Sequence, residues 1–272
     1  MGKQTLGIGK KERSQMALLL KANMPVITPE NTARVLNVTV VAATQLLALW
    51  EKKGWLSRVK HGIYIPVPLQ SKNTNIMADE PWVLAKALFE PCYIGGWSAA
   101  EYWGLTEQIF NSTMIFSIKK KPSRGIQLKG VELTIKTIKK ERMFGLKNVW
   151  KGDQKVSVSD ATRTIVDAFN DPAVVGGIRM AIDILTSYLS SEHKNLDLLF
   201  EYGMNIKHTA FFKRIGFCLE QNNLCEKEYL EKLRAQIKPG YSQLDPAAPG
   251  KRLVTAWNLW VPDAWKKEVE FK

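Results

Sequence analysis

Side chains able to do chemistry are few and scattered in this chain of 272 residues. The histidines are His61, His193 and His208; the last two fall in helical patterns, and none has a second histidine or cysteine at metal-ligand spacing. Cys92, Cys218 and Cys225 are too few and too far apart for a disulfide framework or a zinc site, which fits a reducing cytoplasm. No Gly-rich phosphate loop ending in Lys-Ser/Thr and no Gly-x-Ser-x-Gly elbow occurs. Gly7-Ile8-Gly9 lacks the preceding strand and third glycine of a dinucleotide fingerprint. Glu132 and Lys136 have the wrong spacing for the Glu-x-Lys pair of a metal-dependent nuclease. Asp160 and Asp167 share a helix face, but capping accounts for Asp160. No enzymatic activity, metal or cofactor is expected.

Groups that read DNA are better represented. Thr39, Val41, Ala42, Thr44 and Gln45 lie on one short helical stretch. A glutamine amide suits the N6 and N7 edge of adenine, and Val41 or Ala42 suits a thymine methyl. Arg58, Lys60 and His61 follow on a basic hairpin, and Lys11 lies on a basic helix upstream; these suit phosphates. The bland counterpart is a protein-docking module, in which the hairpin's charge has no use.

The elements that must position these groups run from Thr28 to Ile65. Thr28 is a helix N-cap with Pro29 and Glu30 in the first turn, and Ala33 and Leu36 follow at helical spacing. The helix stops at Asn37-Val38, and Thr39 caps the next. There Val40, Ala43, Leu47 and Trp50 mark one inward face, and Gly54 closes the helix. Trp55–Val59 and Ile63–Ile65 then alternate like two strands about a turn at Lys60-His61-Gly62. A preceding helix, 10–23, turns Met16, Leu19 and Leu20 inward and Lys10, Lys11 and Arg13 outward. This is the plan of a winged helix-turn-helix.

The rest of the chain predicts an α+β protein: a mixed domain with a small sheet, followed by a helical region. Residues 1–66 form the winged helix with a loose arm at 1–9, residues 67–75 a linker and residues 76–240 the second domain, sheet-containing to about 175. In it Asp79 caps a helix reaching Phe89, and Ser98 caps a short one closed by Gly104. Strands are expected at 113–118, 127–131, 133–138 and 156–158, with one wet face lined by lysines, and helices at 159–169, 178–189, 196–202, 207–221 and 226–236. Residues 241–272 are rich in Pro and Trp, and Trp257, Trp260 and Trp265 make that tail too apolar to float free.

With 45% apolar and 24% charged residues and no apolar run long enough to span a bilayer, the composition is that of a soluble protein without a membrane partner. The N-terminus has no signal core. The net charge of +13 is concentrated: residues 1–65 carry ten Lys and Arg against three Asp and Glu, or +7, and residues 116–155 carry twelve against three, or +9. Residues 66–115 are acidic at −3, and residues 156–272 are neutral. Two separated basic segments imply polyanionic partners. In the second, Lys119, Lys120, Lys121, Arg124, Lys136, Lys139 and Lys140 form a surface suited to RNA or to an acidic protein face.

Several stretches together resemble the AbiEi family of bacterial antitoxins. They are Lys53-Gly-Trp-Leu56, Gly62-Ile-Tyr-Ile-Pro66, Tyr93-Ile-Gly-Gly-Trp-Ser-Ala-Ala-Glu-Tyr-Trp-Gly-Leu-Thr106, and Val158-Ser-Asp-Ala-Thr-Arg-Thr-Ile-Val-Asp167 leading to Pro172 and Gly176-Gly177. The first two occur in many winged helices; the last two are more particular. The resemblance covers roughly residues 10–235 and leaves the tail out. It implies a type IV toxin–antitoxin module linked to abortive phage infection. In such a module the winged helix represses its own operon, and the second domain counteracts an AbiEii-type nucleotidyltransferase toxin, typically without a lasting complex. The residues leave two alternatives open: a winged-helix regulator unrelated to any toxin, and a metal-dependent nuclease.

Overall fold

The computed structural model describes residues 9–22, 24, 26–67, 81–120, 126–128, 131–151, 154–262 and 265. All but the last residue of the expected arm, all but the first residue of the linker, the Asp79 cap, the turn expected at 121–125 and, apart from Lys151, that expected at 151–153 lie outside them.

The chain begins with α1 (Lys10–Lys21), α2 (Pro29–Leu36) and α3 (Val40–Lys52), followed by an antiparallel hairpin of β1 (Leu56–Lys60) and β2 (Ile63–Pro66). Thr28 and Asn31 cap α2 reciprocally: each side-chain oxygen accepts the other's backbone N–H, at 3.3 and 2.8 Å. At the end of α3 the Gly54 N–H donates to Glu51 and the Trp55 N–H to Trp50, a closure that needs the positive φ of 79° at Gly54. Met16, Leu19, Ile27, Leu47, Trp50, Trp55, Leu56 and Tyr64 form the core of this unit. Leu20, expected inward, is half exposed, because Met16 and Leu19 already fill the inner side of α1.

The middle of the chain builds a sheet. After α4 (Pro81–Phe89) come β3 (Cys92–Ile94), α5 (Gly96–Tyr102), β4 (Ser112–Ser117), β5 (Ile126–Leu128), β6 (Val131–Thr137), β7 (Leu146–Lys151) and β8 (Gln154–Ser159). The sheet order is β5-β6-β4-β3-β8-β7, with β4∥β6 and β3∥β8 parallel and the other pairs antiparallel. The strand β7 was not expected; Leu-Lys-Asn-Val-Trp-Lys has a single β-branched residue and forms a half-wet edge. Ser98 is not a cap but lies inside α5, where its Oγ accepts the Met114 N–H at 3.0 Å and ties the helix to β4; Gly95 holds the cap position.

One face of the sheet carries Ile94, Ile115, Leu133, Ile135, Val156 and Val158 against α4. Val26 and Ile65 join the same cluster, so the wing side of the first unit is docked on α4. The other face presents Tyr93, Met114 and Phe116 to the helices α6 (Ala161–Asn170), α7 (Ile178–Ser190), α8 (Leu196–Ile206), α9 (Thr209–Gln221) and α10 (Lys227–Arg234). The tail does pack back, as its tryptophans require, and forms a second small sheet of β9 (Ser242–Gln243), β10 (Arg252–Val254) and β11 (Leu259–Val261). Trp257 is fully buried over Gly216, where a Cβ would come within 2.0 Å of the indole, and its Nε1–H donates to Glu220 at 2.6 Å. Arg214 on α9 donates to the carbonyls of Gln243, Phe169 and Asn170, tying the tail to the end of α6. Among the described residues no single helix is long and apolar enough to cross a membrane.

A buried charge cluster joins the two layers. Arg163 on α6 is 1% exposed and Asp167, one turn later, 2%. The guanidinium donates from Nε and Nη2 to Asp167 Oδ1 (3.1 and 3.0 Å), from Nη2 to the Tyr93 hydroxyl (3.1 Å), and from Nη1 to the carbonyls of Arg142 (2.9 Å) and Phe144 (3.1 Å). The Tyr93 hydroxyl in turn donates to Asp167 Oδ2 at 3.0 Å. Burial pushes the Asp167 carboxyl up from its ordinary range, and the Arg163 charge opposes that shift. Removing one partner of such a pair costs ~3–5 kcal/mol, because an uncompensated charge stays buried. Arg163→Leu is therefore expected to lose about that much in urea denaturation, and Arg163→Leu/Asp167→Leu to regain part of it. With the cation gone the folded-state pKa of Asp167 rises further above its unfolded value. The loss should then be smallest below about pH 4, the unfolded value, and grow as pH rises through the raised folded one. A single variant within 1 kcal/mol (~1 kcal/mol being an ordinary substitution) of the parent at neutral pH would contradict this account.

Candidate nucleic-acid interface

The groups expected to meet DNA are set by how α3 leaves α2. The two helices turn by 106° across Asn37-Val38-Thr39, inside the range of a helix-turn-helix. Asn37 takes the left-handed conformation that ends α2 (φ 50°), and Thr39 Oγ1 accepts the Ala42 N–H at 3.2 Å to start α3. Ala43, Leu47 and Trp50 are fully buried, which holds the opposite side of α3 toward solvent. Thr39, Val41, Thr44 and Gln45 are exposed there and Ala42 half-buried, so the structure brings the five helix residues together. The Thr44 hydroxyl donates to the Val40 carbonyl at 2.8 Å, so its one proton is used within the helix and its lone pairs remain as acceptors.

Val40 departs from the expected pattern: it is 47% exposed rather than inward. It is the first residue of α3, and the core residues of that helix begin only at Ala43. With Val41, 69% exposed, it gives the tip of α3 an apolar character suited to thymine methyls.

The hairpin places Arg58 and His61 in solvent, and the strand register shifts between Arg58 and Lys60. The Lys60 backbone belongs to β1, while its side chain lies outside the described part. Lys11 is exposed but does not join the tip of α3. Its neighbour Glu12 pairs with Lys53 at 2.6 Å, which anchors this end of α1 beside the far end of α3. A helix of 13 residues separates Lys53 from Thr39, or ~20 Å at 1.5 Å per residue. Lys11 is therefore set apart from the residues at the tip of α3.

The second basic segment is split by the sheet. Parallel β4 and β6 end side by side, which gathers Lys119, Lys120, Lys139 and Lys140, all exposed, at one end of the sheet. Lys136 also points out but is ion-paired with Asp171, so it is not a free cation. Lys121 and Arg124 lie outside the described residues. Lys147, Lys151 and Lys155 sit instead on β7 and β8, and β6 and β7 are four strand spacings apart, ~19 Å.

Among the described residues the groups with catalytic potential lie apart. His61 is in the hairpin turn, His193 in the turn between α7 and α8 beside the Trp103 ring rather than in a helix, and His208 just before α9 rather than inside it. Burial pushes the Cys92 thiol up to about 12 and the Cys218 thiol still further up. Asp160 does cap α6, accepting the Arg163 N–H at 2.7 Å, and its other oxygen accepts the Tyr202 hydroxyl at 3.0 Å. Asp167, its partner on the helix face, belongs to the Arg163 cluster instead. No group of three or more His, Cys, Asp and Glu residues able to hold a metal ion occurs among the described residues.

No protein-family model and no curated protein matches the chain. Among solved structures it is similar to the crystal structure of the RV2827C protein from Mycobacterium tuberculosis, at 12% identity and a TM-score of 0.63. The similarity covers 96% of this chain and 94% of that one, so the whole α+β architecture is shared.

Proposed function

We propose that this protein is a non-enzymatic, cytoplasmic antitoxin of a type IV toxin–antitoxin module that also represses its own operon. The winged helix binds operator DNA, and the remaining domain counteracts an AbiEii-type nucleotidyltransferase toxin. The observation that carries the DNA half is the exposed tip of α3: Thr39, Val41, Thr44 and Gln45 stand clear on a helix fixed at 106° to its neighbour, beside the basic hairpin. The antitoxin half rests on the sequence resemblance, in which the Gly95-Gly96-Trp97-Ser98 segment and the Asp160–Asp167 helix are the particular features.

The chemistry divides between groove and backbone. With no lysine or arginine on the front of α3, base reading falls to Gln45 and the small apolar groups, which favours A·T pairs. Affinity comes from Arg58, Lys60 and flanking cations on phosphates. Each phosphate neutralised lowers log K by about 0.9 per decade of salt, so these two side chains alone give a slope near −2 per bound chain. In a gel shift the protein should retard its own promoter well before random DNA of equal length. Gln45→Ala should erase that preference, Arg58→Ala should weaken both probes, and equal retardation of the two probes by the parent chain would reject operator reading.

The lysines at the ends of β4 and β6 are assigned to the second task, against RNA or an acidic face of the toxin. Reversing Lys119, Lys120, Lys139 and Lys140 to glutamate should impair rescue from the toxin while promoter retardation stays intact. Unchanged rescue would remove that surface from the account. Point variants are the proper tool, because Val26 and Ile65 share a core with α4, and deletion of 1–66 would strip that core open.

A further inference from the structure

The edge strand β7 carries aromatic rings and lysines that neither task above uses. Four rings follow one another at contact distance, from Trp82 on α4 past the end of the sheet to His193 between α7 and α8. Trp82 lies 5.4 Å from Tyr102, Tyr102 4.9 Å from Trp103, and Trp103 5.4 Å from His193. Lys151 stands 4.5 Å from the Trp82 ring centre and 5.6 Å from that of Tyr102, and Lys147 stands 5.4 Å from that of Trp103. The pleat alternates side chains, so Trp150 projects from the opposite side of β7, where Lys155, paired with it across the strands, lies 4.9 Å from its ring centre.

Three facts bear on what this edge meets. Trp150 is 64% exposed and Tyr102 41%, in a chain whose other large rings are mostly buried or half-buried. Lys147, Lys151 and Lys155 make no ion pair with a carboxylate among the described residues; their positive charge is left to solvent and to the rings. Exposed Glu101 next to Tyr102, exposed Glu192 next to His193 and, in the sequence, Asp153 after Lys151 adjoin this edge; Lys86, whose Nζ donates to the Lys155 carbonyl at 2.9 Å, and exposed Lys194 add to its three lysines and keep it net positive. A protein-docking patch would also use exposed rings, but it would shed lysine from its centre, and here three lysines stand among the rings. Cations interleaved with exposed aromatic planes suit a ligand that brings both phosphates and flat bases with free π faces. Duplex DNA does not offer those faces.

We infer that the β7 edge, with Trp150 on one side and Trp82, Tyr102 and Trp103 on the other, binds single-stranded nucleic acid, bases stacking on the rings and phosphates meeting Lys147, Lys151 and Lys155. The site lies across the sheet from Lys119, Lys120, Lys139 and Lys140 and is independent of the winged helix. It therefore neither rests on operator reading nor falls with it.

Fluorescence anisotropy of labelled 12-mers of uridylate and thymidylate, titrated with the full chain in excess unlabelled random duplex, isolates this site. Trp150→Ala and Tyr102→Ala should each weaken binding about tenfold, the size of one lost stacking contact. Lys147→Ala/Lys151→Ala should flatten the salt dependence by about 1.4, at ~0.7 per phosphate on a single strand. Preference for uridylate over thymidylate assigns the natural ligand to RNA, and the reverse assigns it to DNA. Near-ultraviolet circular dichroism with unchanged promoter retardation verifies that each variant is folded. Absence of binding by the parent chain, or parent-level affinity in all three variants, overturns the inference and leaves the edge to a protein partner.

Discussion

Arg163 brings a full positive charge into the interior, and the middle of this protein is arranged so that the charge is never unpaired. Its donors reach Asp167 on its own helix, Tyr93 on β3, and the carbonyls of Arg142 and Phe144 in the segment leading to β7. One side chain thus fixes the helix layer to the sheet and fixes the path by which the chain enters its edge strand. The Phe144 ring, 4.1 Å from the guanidinium carbon, covers the cation. Such an arrangement stabilises little against an apolar replacement, but it penalises any partial loss and so defines a single geometry. In that geometry β7 lies at the edge beside β8, and the lysines that follow β4 and β6 meet across the width of the sheet from it.

That geometry also decides what the positive charge can do. In the sequence, residues 116–155 form one basic block. In the fold they become a lysine cluster at the ends of β4 and β6 and a lysine–aromatic edge at β7, separated by the width of the sheet. The winged helix is a third positive region, docked on α4 through Val26 and Ile65. Three surfaces of differing chemistry are therefore held in one framework: a small apolar and amide tip beside a basic hairpin, a cluster of bare lysines, and lysines interleaved with rings.

The elements of the winged helix were legible because each had a local signal that its own core enforces: the Thr28 and Thr39 caps, the Gly54 closure, and the spacing of Ala43, Leu47 and Trp50. The later helices and the packing of the tail were legible from apolar periodicity for the same reason. What escaped was set by partners distant in the chain. The edge strand β7 owes its conformation to pairing with β8 rather than to its own residues, and Ser98 serves β4 rather than its helix. Asp167 shares a helix face with Asp160, but the arginine four residues before it is the signal of a buried pair. Val40 and Leu20 show the limit of periodicity, which finds a face but not how far along a helix that face stays covered. The exposed rings beside lysines on β7 carried no sequence signal, because Trp82, Tyr102, Lys147 and Lys151 meet only through the sheet.

We propose that duplex DNA is met by the tip of α3 and the hairpin, not by the lysines of the second domain. Hydrogen–deuterium exchange of the full chain, with and without a duplex of its own upstream region, addresses this directly. The account predicts slower exchange in residues 39–66 on adding the duplex, with 116–155 unchanged. Protection centred on 116–155, with α3 and the hairpin unaffected, would contradict it.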